Sequence, residues 1–335
     1  MSGDAKHGEA GDAGIWERLW KTGALHSCAG AFRENYDGAL AAFWTARFGA
    51  LEDGAVVLDV GTGNGAIPLL AKDAARARGV AFRIHGADIA DIDPVGSCPD
   101  GARRYEGIEF HPRAPLEKLP FADASVDLVC SQYAFEYARR DAALAEVVRV
   151  MGPRGQAGFV LHARASLVCS TALEQLEHCR FLLRESGLFA QARGLAQRLV
   201  AAGPDGPARL VADQDTERLR VALNASAGEV QRRMAATQTR DMLAKAMHIV
   251  STVLAEAPRN PPEVTLPWFD RAVSGLADEE RRLQALDAAA LDEAGMVALR
   301  EAFQAHGCRD CDIGVLHHER GPLMGWTLVV ANGPA

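Results

Sequence analysis

Asp59, Gly61, Gly63 and Gly65 stand at alternate positions in VVLDVGTGNGAIPLL, Val56 to Leu70. Glycines spaced this way let backbone N–H groups approach a ligand that side chains would hold away, and the helix that follows brings its positive N-terminus to the same place. The plainer use is a tight strand–helix turn with no ligand. Asp88 comes 27 residues after Gly61 (88 − 61), at the end of a second strand-like run. A carboxylate there can accept hydrogen bonds from both hydroxyls of a ribose, or else cap a helix. His162, Tyr133, Glu136 and Tyr137 are placed at strand ends and could take a proton from a nucleophile. His162 suits that work best near neutrality, although a histidine satisfied by packing at the sheet edge is the competing reading. Cys308, Cys311, His317, His318 and Glu319 suggest a zinc pattern. Structural zinc sites usually close with two well-spaced pairs, whereas adjacent strand residues point to opposite faces, so no metal is assigned.

The elements that must position these groups alternate. Strands are expected at about 55–60, 81–89, 108–114, 126–132 and 158–163, with helices at 66–78 and 141–151 between them. VDLVCSQ (126–132) is nearly continuous in apolar residues, as a buried parallel strand is. The spacing predicts a parallel α/β sheet. From about 166 to 304 the alternation stops and Ala, Leu, Arg and Glu recur at helical spacing, as in Leu173, Leu176, Cys179 and Leu183. At that length the segment is a helical insertion and not a loop. DIGVLHHERGPLMGWTLVV (312–330) closes the chain as two strands around a Gly-Pro turn.

Bulk properties narrow the function classes. A net charge of −8 disfavours a broad nucleic-acid footprint, which points to a small substrate or a polypeptide. No apolar run reaches the roughly 20 residues of a membrane span, and residues 1–14 lack the apolar core of a signal peptide. Seven cysteines in mostly apolar surroundings suit reduced thiols. The expected location is therefore cytoplasmic.

The glycine turn fits two cofactors. Read as G-x-G-x-x-[GA], with Gly61, Gly63 and Ala66, it is a dinucleotide fingerprint. Read as D-x-G-x-G-x-G, it is an S-adenosylmethionine turn. Asp88 serves the ribose of either. KLPFADASVDLVCSQYAFEY (118–137) and AALAEVVRVMGPRGQ (142–156) separate the two. With these motifs in order, residues 55–163, and more weakly the final hairpin, resemble the class I S-adenosylmethionine-dependent methyltransferases of the type 11, small-molecule kind. The resemblance implies a Rossmann-like α/β sheet of parallel strands plus a C-terminal antiparallel hairpin, interrupted by a large helical insertion. A dinucleotide dehydrogenase lacks that hairpin.

The resemblance also implies roles. Asp59, Gly61, Thr62, Gly63 and Gly65 would hold the methionine part and ribose of S-adenosylmethionine, Asp59 by orienting its ammonium. Asp88 would bind the ribose hydroxyls, Ile89 would lie on the adenine, and Leu116 would offer it backbone. Ser131 and Gln132 would border the sulfonium, and His162, Tyr133 and Tyr137 are the catalytic candidates. The chain departs from the family pattern at Pro115, where many relatives carry an adenine-binding Asp, so Glu117 is expected to share that task. Asn260-Pro261-Pro262 imitates an amino-methylation motif but lies far from the fourth strand and is read as a loop.

The expected organisation is a disordered N-terminus (1–14), an N-terminal helical lid (15–50) and a cofactor domain (51–165 and 305–335). The insertion (166–304) would serve as a substrate lid or dimer interface. The expected activity is methyl transfer to O, N or C of a small metabolite or natural product, releasing S-adenosylhomocysteine. A peptide or protein substrate docked on the insertion is the first alternative, and a non-catalytic S-adenosylmethionine-binding scaffold or regulator the second. Expected partners are a small molecule or peptide and a second copy of the chain, without nucleic acid or membrane.

Overall fold

A computed structural model describes residues 10–27, 34–203, 206–318 and 321–332. Seven strands form one sheet: β1 (Val56–Val60), β2 (Arg83–Ala87), β3 (Ile108–His111), β4 (Val126–Gln132), β5 (Met151–Leu161), β6 (Asp310–His317) and β7 (Leu323–Ala331). Their order is β3-β2-β1-β4-β5-β7-β6; β1 to β5 run parallel, and β7 pairs antiparallel with both β5 and β6. This is the parallel sheet with a C-terminal antiparallel hairpin that the alternation and the terminal Gly-Pro turn predict.

Helices α1 (Ala10–Trp20), α2 (Gly38–Gly49) and α3 (Ala66–Arg78) come first, and α4 (Pro94–Ser97) and α5 (Gly101–Arg104) are short turns after β2. Helix α6 (Arg140–Val150) precedes β5. On one face of the sheet Leu58, Leu144, Val147, Phe159 and Phe303 form the largest apolar cluster; on the other, Val57, Leu128 and Val160 pack on Trp44, Phe48 and Ile67. Removal of each such large side chain from water contributes about 1.5–3 kcal/mol, which makes the five-residue β1, buried throughout, the centre of the core.

Helices α7 (Leu167–Arg180), α8 (Leu188–Ala202), α9 (Gly206–Leu210), α10 (Gln214–Ala236), α11 (Asp241–Glu256) and α12 (Pro262–Ala289) follow, and α13 (Glu293–Ala305) leads into β6. Residues 171–285 form a compact unit of their own, and residues 286–335 group with the sheet. The helical unit thus has narrower bounds than the 166–304 expected for the insertion. The reason is packing: Phe303 of α13 lies 5.5 Å from Phe159 and 6.1 Å from Phe135, inside the sheet's core. Within the helical unit, Leu243, Ala246, Ile249, Val250 and Val253 share the buried stripe of α11, and Met234, Met242 and Met247 pack around that core. A bidentate pair of Arg184 on the buried Glu280 (2.7 and 2.9 Å) ties the start of the unit to α12. Pro262 opens α12, where a proline costs no hydrogen bond, so Asn260-Pro261-Pro262 is a helix entry.

Three local readings change. Helix α1 begins at Ala10, so residues 10–14 belong to it; residues 1–9 of the expected disordered segment lie outside the described residues. Strand β5 starts at Met151 and absorbs MGPRGQ as an irregularity, because its register jumps between the partners of Val126 and Leu128. It ends at Leu161, which leaves His162 just past the sheet.

Candidate active site

Strand order reverses between β1 and β4, and the crevice beyond the carboxyl ends at such a switch is where open α/β sheets take ligands. The turn after β1 is held there by its own backbone. The N–H groups of Gly61 and Thr62 both donate to the carbonyl of Ala87 (2.8 and 3.1 Å), and that of Gly65 donates to the Thr62 carbonyl (2.9 Å). Gly63 N–H donates to Asp88 Oδ2 at 2.8 Å. These four donors are engaged inside the protein, so they do not cradle a pyrophosphate as the dinucleotide reading requires. Close approach explains the glycines instead: a Cβ on Gly61 would lie 2.3 Å from Ala134 Cβ, and one on Gly63 would lie 2.6 Å from the Trp20 ring. Gly61 also has φ +70°. Gly61→Ala therefore combines left-handed strain with overpacking, and an expected loss of about 2–4 kcal/mol will show as a lower midpoint in denaturant unfolding.

Two buried carboxyls flank the turn. Asp88 accepts from Gly63 N–H and, at 2.9 Å, from Ala90 N–H, and burial raises its pKa. One bond at each oxygen leaves lone pairs that can receive two ribose hydroxyls. Asp59, at the end of β1, is only 2% exposed, and its Oδ1 is buried without a partner. Burial pushes its carboxyl up to about 8, with the Asp88 carboxylate adding to the rise against the neighbouring Thr62 hydroxyl. A buried carboxyl oxygen without a partner is open to a hydrogen-bond donor of a ligand. An amino acid's ammonium would satisfy it.

Beside Asp88, Ile89 is 44% exposed, an open apolar surface suited to an aromatic base. Leu116 is buried in the main core. Glu117 Oε1 accepts from the backbone N–H of Arg139 at 2.8 Å and pairs with that side chain. Ser131 is wholly buried; its hydroxyl donates to Val60 O and accepts from Phe135 N–H, both at 3.1 Å, which braces β4 against β1. Gln132 accepts from Trp44 Nε1–H at 2.6 Å, and its Nε2 is buried without a partner.

The chain past β4 and β5 assembles the proton-transfer groups. Tyr133 takes a left-handed φ of +54°, rare for an aromatic residue, and its ring lies 4.4 Å from that of His162. Gly325 permits this, since a Cβ there would lie 3.3 Å from Tyr133 Cε1 and 2.6 Å from Leu161 O. The short 3-10 turn Phe135–Tyr137 carries Glu136, whose Oε1 accepts from both the backbone N–H (2.8 Å) and Nδ1–H (2.7 Å) of His162. The His162 carbonyl receives Leu291 N–H at 2.9 Å. The backbone and ring of His162 are thus fixed, and Nε2 keeps the lone pair. Tyr137 meets this ring edge-on at 5.9 Å and Trp16 of α1 at 5.6 Å.

Asn64 was not singled out in the sequence, where it is a variable position of the glycine pattern. Fully buried, it donates to the carbonyls of Trp20 (2.8 Å) and Ala24 (2.7 Å) and so fastens α1 over the turn. An asparagine among turn glycines is an ordinary turn residue by sequence; its partners lie 44 and 40 positions upstream, beyond any local pattern. Cys308, Cys311 and His317 do not gather. Cys308 Sγ contacts Asn332 Oδ1, Cys311 Sγ contacts the Cys308 carbonyl, and His317 Nδ1 contacts Gly321 O. Glu319 lies outside the described residues.

A parallel sheet closed by an antiparallel hairpin, with a glycine turn braced on an acidic residue after β2, defines a class I methyltransferase fold. Residues 58–159 match the family model described as "Methyltransferase domain", and that stretch of the chain is a methyltransferase domain. No curated protein matches the chain. Among solved structures it is similar to the methyltransferase of Haloferax volcanii solved in complex with the Trm112 methyltransferase activator: 26% identity over 51% of this chain and 63% of that one, TM-score 0.31. A methyltransferase from Aquifex aeolicus shares 20% identity over 37% of this chain and 64% of its own, TM-score 0.31. Geranyl diphosphate C-methyltransferase from Streptomyces coelicolor A3(2) shares 14% over 45% and 65%, TM-score 0.34. The chain thus aligns with less than two thirds of the length of each. The fold assignment rests on strand order and the family match.

Proposed function

We propose that this chain methylates a hydroxyl or amine of a small metabolite or natural product, with S-adenosylmethionine as donor and His162 as base. The single observation behind this reading is the Glu136–His162 pair at the carboxyl edge of the sheet. The cofactor fits the residues present: Asp59 for the ammonium, Asp88 for the ribose, Ile89 for the adenine. Bound S-adenosylmethionine supplies an electrophilic methyl group. A hydroxyl, or an amine that arrives as its ammonium, must lose a proton to accept it, and His162 Nε2 is the lone pair that takes this proton. Glu136, fixed on Nδ1, holds the ring and balances the imidazolium, as the aspartate does in a Ser-His-Asp triad. Tyr133 and Tyr137 keep the ring from turning and shield the proton transfer from water.

A base only 4% exposed is reached more easily by a compact molecule than by a folded polypeptide, which supports a small substrate. The test is transfer from deuterated-methyl cofactor into a cell extract, followed by size fractionation. Label in the low-mass fraction, lost with His162→Gln, is the expected result. Label in polypeptide would favour the docked-protein reading, and cofactor binding with no transfer in any extract would favour a scaffold.

A further inference from the structure

His85, Glu109 and His111 form a cluster away from the proton-transfer groups, on the two strands at the β3 edge of the sheet. The parallel register sets His85 opposite Glu109 and Ala87 opposite His111. Since β3 residues two apart share a face, the three side chains form a triangle on one surface. The contacts are short: His111 Nε2 to His85 Nδ1, 3.2 Å; His85 Nδ1 to Glu109 Oε2, 3.5 Å; His111 Nε2 to Glu109 Oε1, 3.9 Å. The ligand atoms all lie within 4.8 Å of one another, the only such group among the described residues.

We infer that His85, Glu109 and His111 bind a zinc-like divalent transition metal that staples β3 to β2. Donor chemistry and spacing agree. Two imidazoles and one carboxylate are ligands of choice for zinc, and ligand bonds of about 2.0–2.1 Å at tetrahedral angles put ligand atoms about 3.3 Å apart. The two contacts of His85 Nδ1, 3.2 Å to His111 Nε2 and 3.5 Å to Glu109 Oε2, lie on either side of that edge, and the exposed Glu109 carboxylate has room to bring one oxygen within reach of both rings. The imidazole nitrogens must be unprotonated to bind. Phe121 walls both rings, 5.2 Å from His85 and 5.0 Å from His111, while the Glu109 side chain is 67% exposed and leaves the fourth position to water. The site's place gives it a use. Strand β3 is a four-residue edge strand, and its His111 carbonyl receives the Asp88 N–H at 3.2 Å, so a metal here would fix the strand that supports the ribose carboxylate.

The test is titration of the untagged, chelator-stripped full chain with Co²⁺ and Zn²⁺, without cofactor, so that it stands apart from methyl transfer. Expected is one equivalent per chain, the intense visible absorption of tetrahedral cobalt, its bleaching by zinc, and a melting temperature raised by about 2–4 °C at a hundredfold excess over Kd. His111→Ala should abolish the equivalent. Glu109→Gln, on an exposed side chain that leaves the fold intact, should weaken it at least about tenfold. Cys308→Ser with Cys311→Ser should leave it unchanged. Binding that survives His111→Ala, vanishes with the cysteine variant, or does not respond to Glu109→Gln would overturn the site, as would absence of binding in the wild type.

Discussion

His162→Gln is expected to lower kcat by about 10²–10⁴-fold while leaving S-adenosylhomocysteine affinity unchanged. The split follows from the geometry: the turn and the two aspartates proposed to hold the cofactor make no hydrogen bond to His162, whose partners are Glu136 and Leu291. Glutamine can still donate and accept but cannot carry a proton away. The defect should shrink as pH approaches the nucleophile's own pKa, because a nucleophile that has already lost its proton needs no base. Imidazole added to His162→Ala should restore part of the rate. Glu136→Gln can still accept from both N–H groups of His162, so it should keep the ring in place and lose only the balancing charge, a smaller decrease in kcat than His162→Gln. A loss equal in kcat and cofactor affinity, independent of pH and not rescued by imidazole, would make His162 a packing residue.

What could be read from the chain without its structure was whatever depends on near neighbours. The apolar runs at 56–60 and 126–132 give β1 and β4 to the residue or nearly so, since a buried parallel strand must be apolar on both faces. The glycine turn and Asp88 are local for the same reason. Features that depend on two segments meeting were not visible. Glycine at 61 records the approach of Ala134, and glycine at 325 the approach of Tyr133, contacts that a spacing rule attributes to a ligand. His162 reads as a strand residue because GFVLHA is continuous, yet its N–H turns to Glu136 and its carbonyl to Leu291, so the chain leaves the sheet there. His85 and His111 lie on separate strands, and only their register makes them neighbours. The end of the helical unit was missed for a related reason: α13 looks like the helices before it, and what differs is the partner of Phe303.

Asp59 supplies the other large effect, one linked to protons. With its carboxyl near 8 in the empty site, it is ionised in only roughly a tenth of molecules at pH 7. A ligand ammonium beside Oδ1 favours the carboxylate, so binding must expel the proton. Calorimetry of S-adenosylhomocysteine binding at pH 7, in buffers of different ionisation enthalpy, should therefore show close to one proton released per ligand. Affinity should rise between pH 6 and 8 by up to about tenfold per unit, as long as the ligand's ammonium keeps its own proton. Asp59→Asn should abolish the release, flatten the pH dependence and weaken binding at pH 8 by about 10–100-fold, the range of a lost hydrogen bond to a charged group. Stability moves the opposite way in the empty protein. The folded pKa is raised above the ordinary 3.8, so the contribution of the protonated carboxyl is complete below about pH 4 and is lost as pH rises through about 8. Wild type should thus lose melting temperature relative to Asp59→Asn between pH 5 and 9, and saturating ligand should remove the difference. A proton count of zero at pH 7 would mean that the carboxylate is already charged before the ligand arrives, and Asp59 would then be a preformed anion site instead of one that ionises on binding.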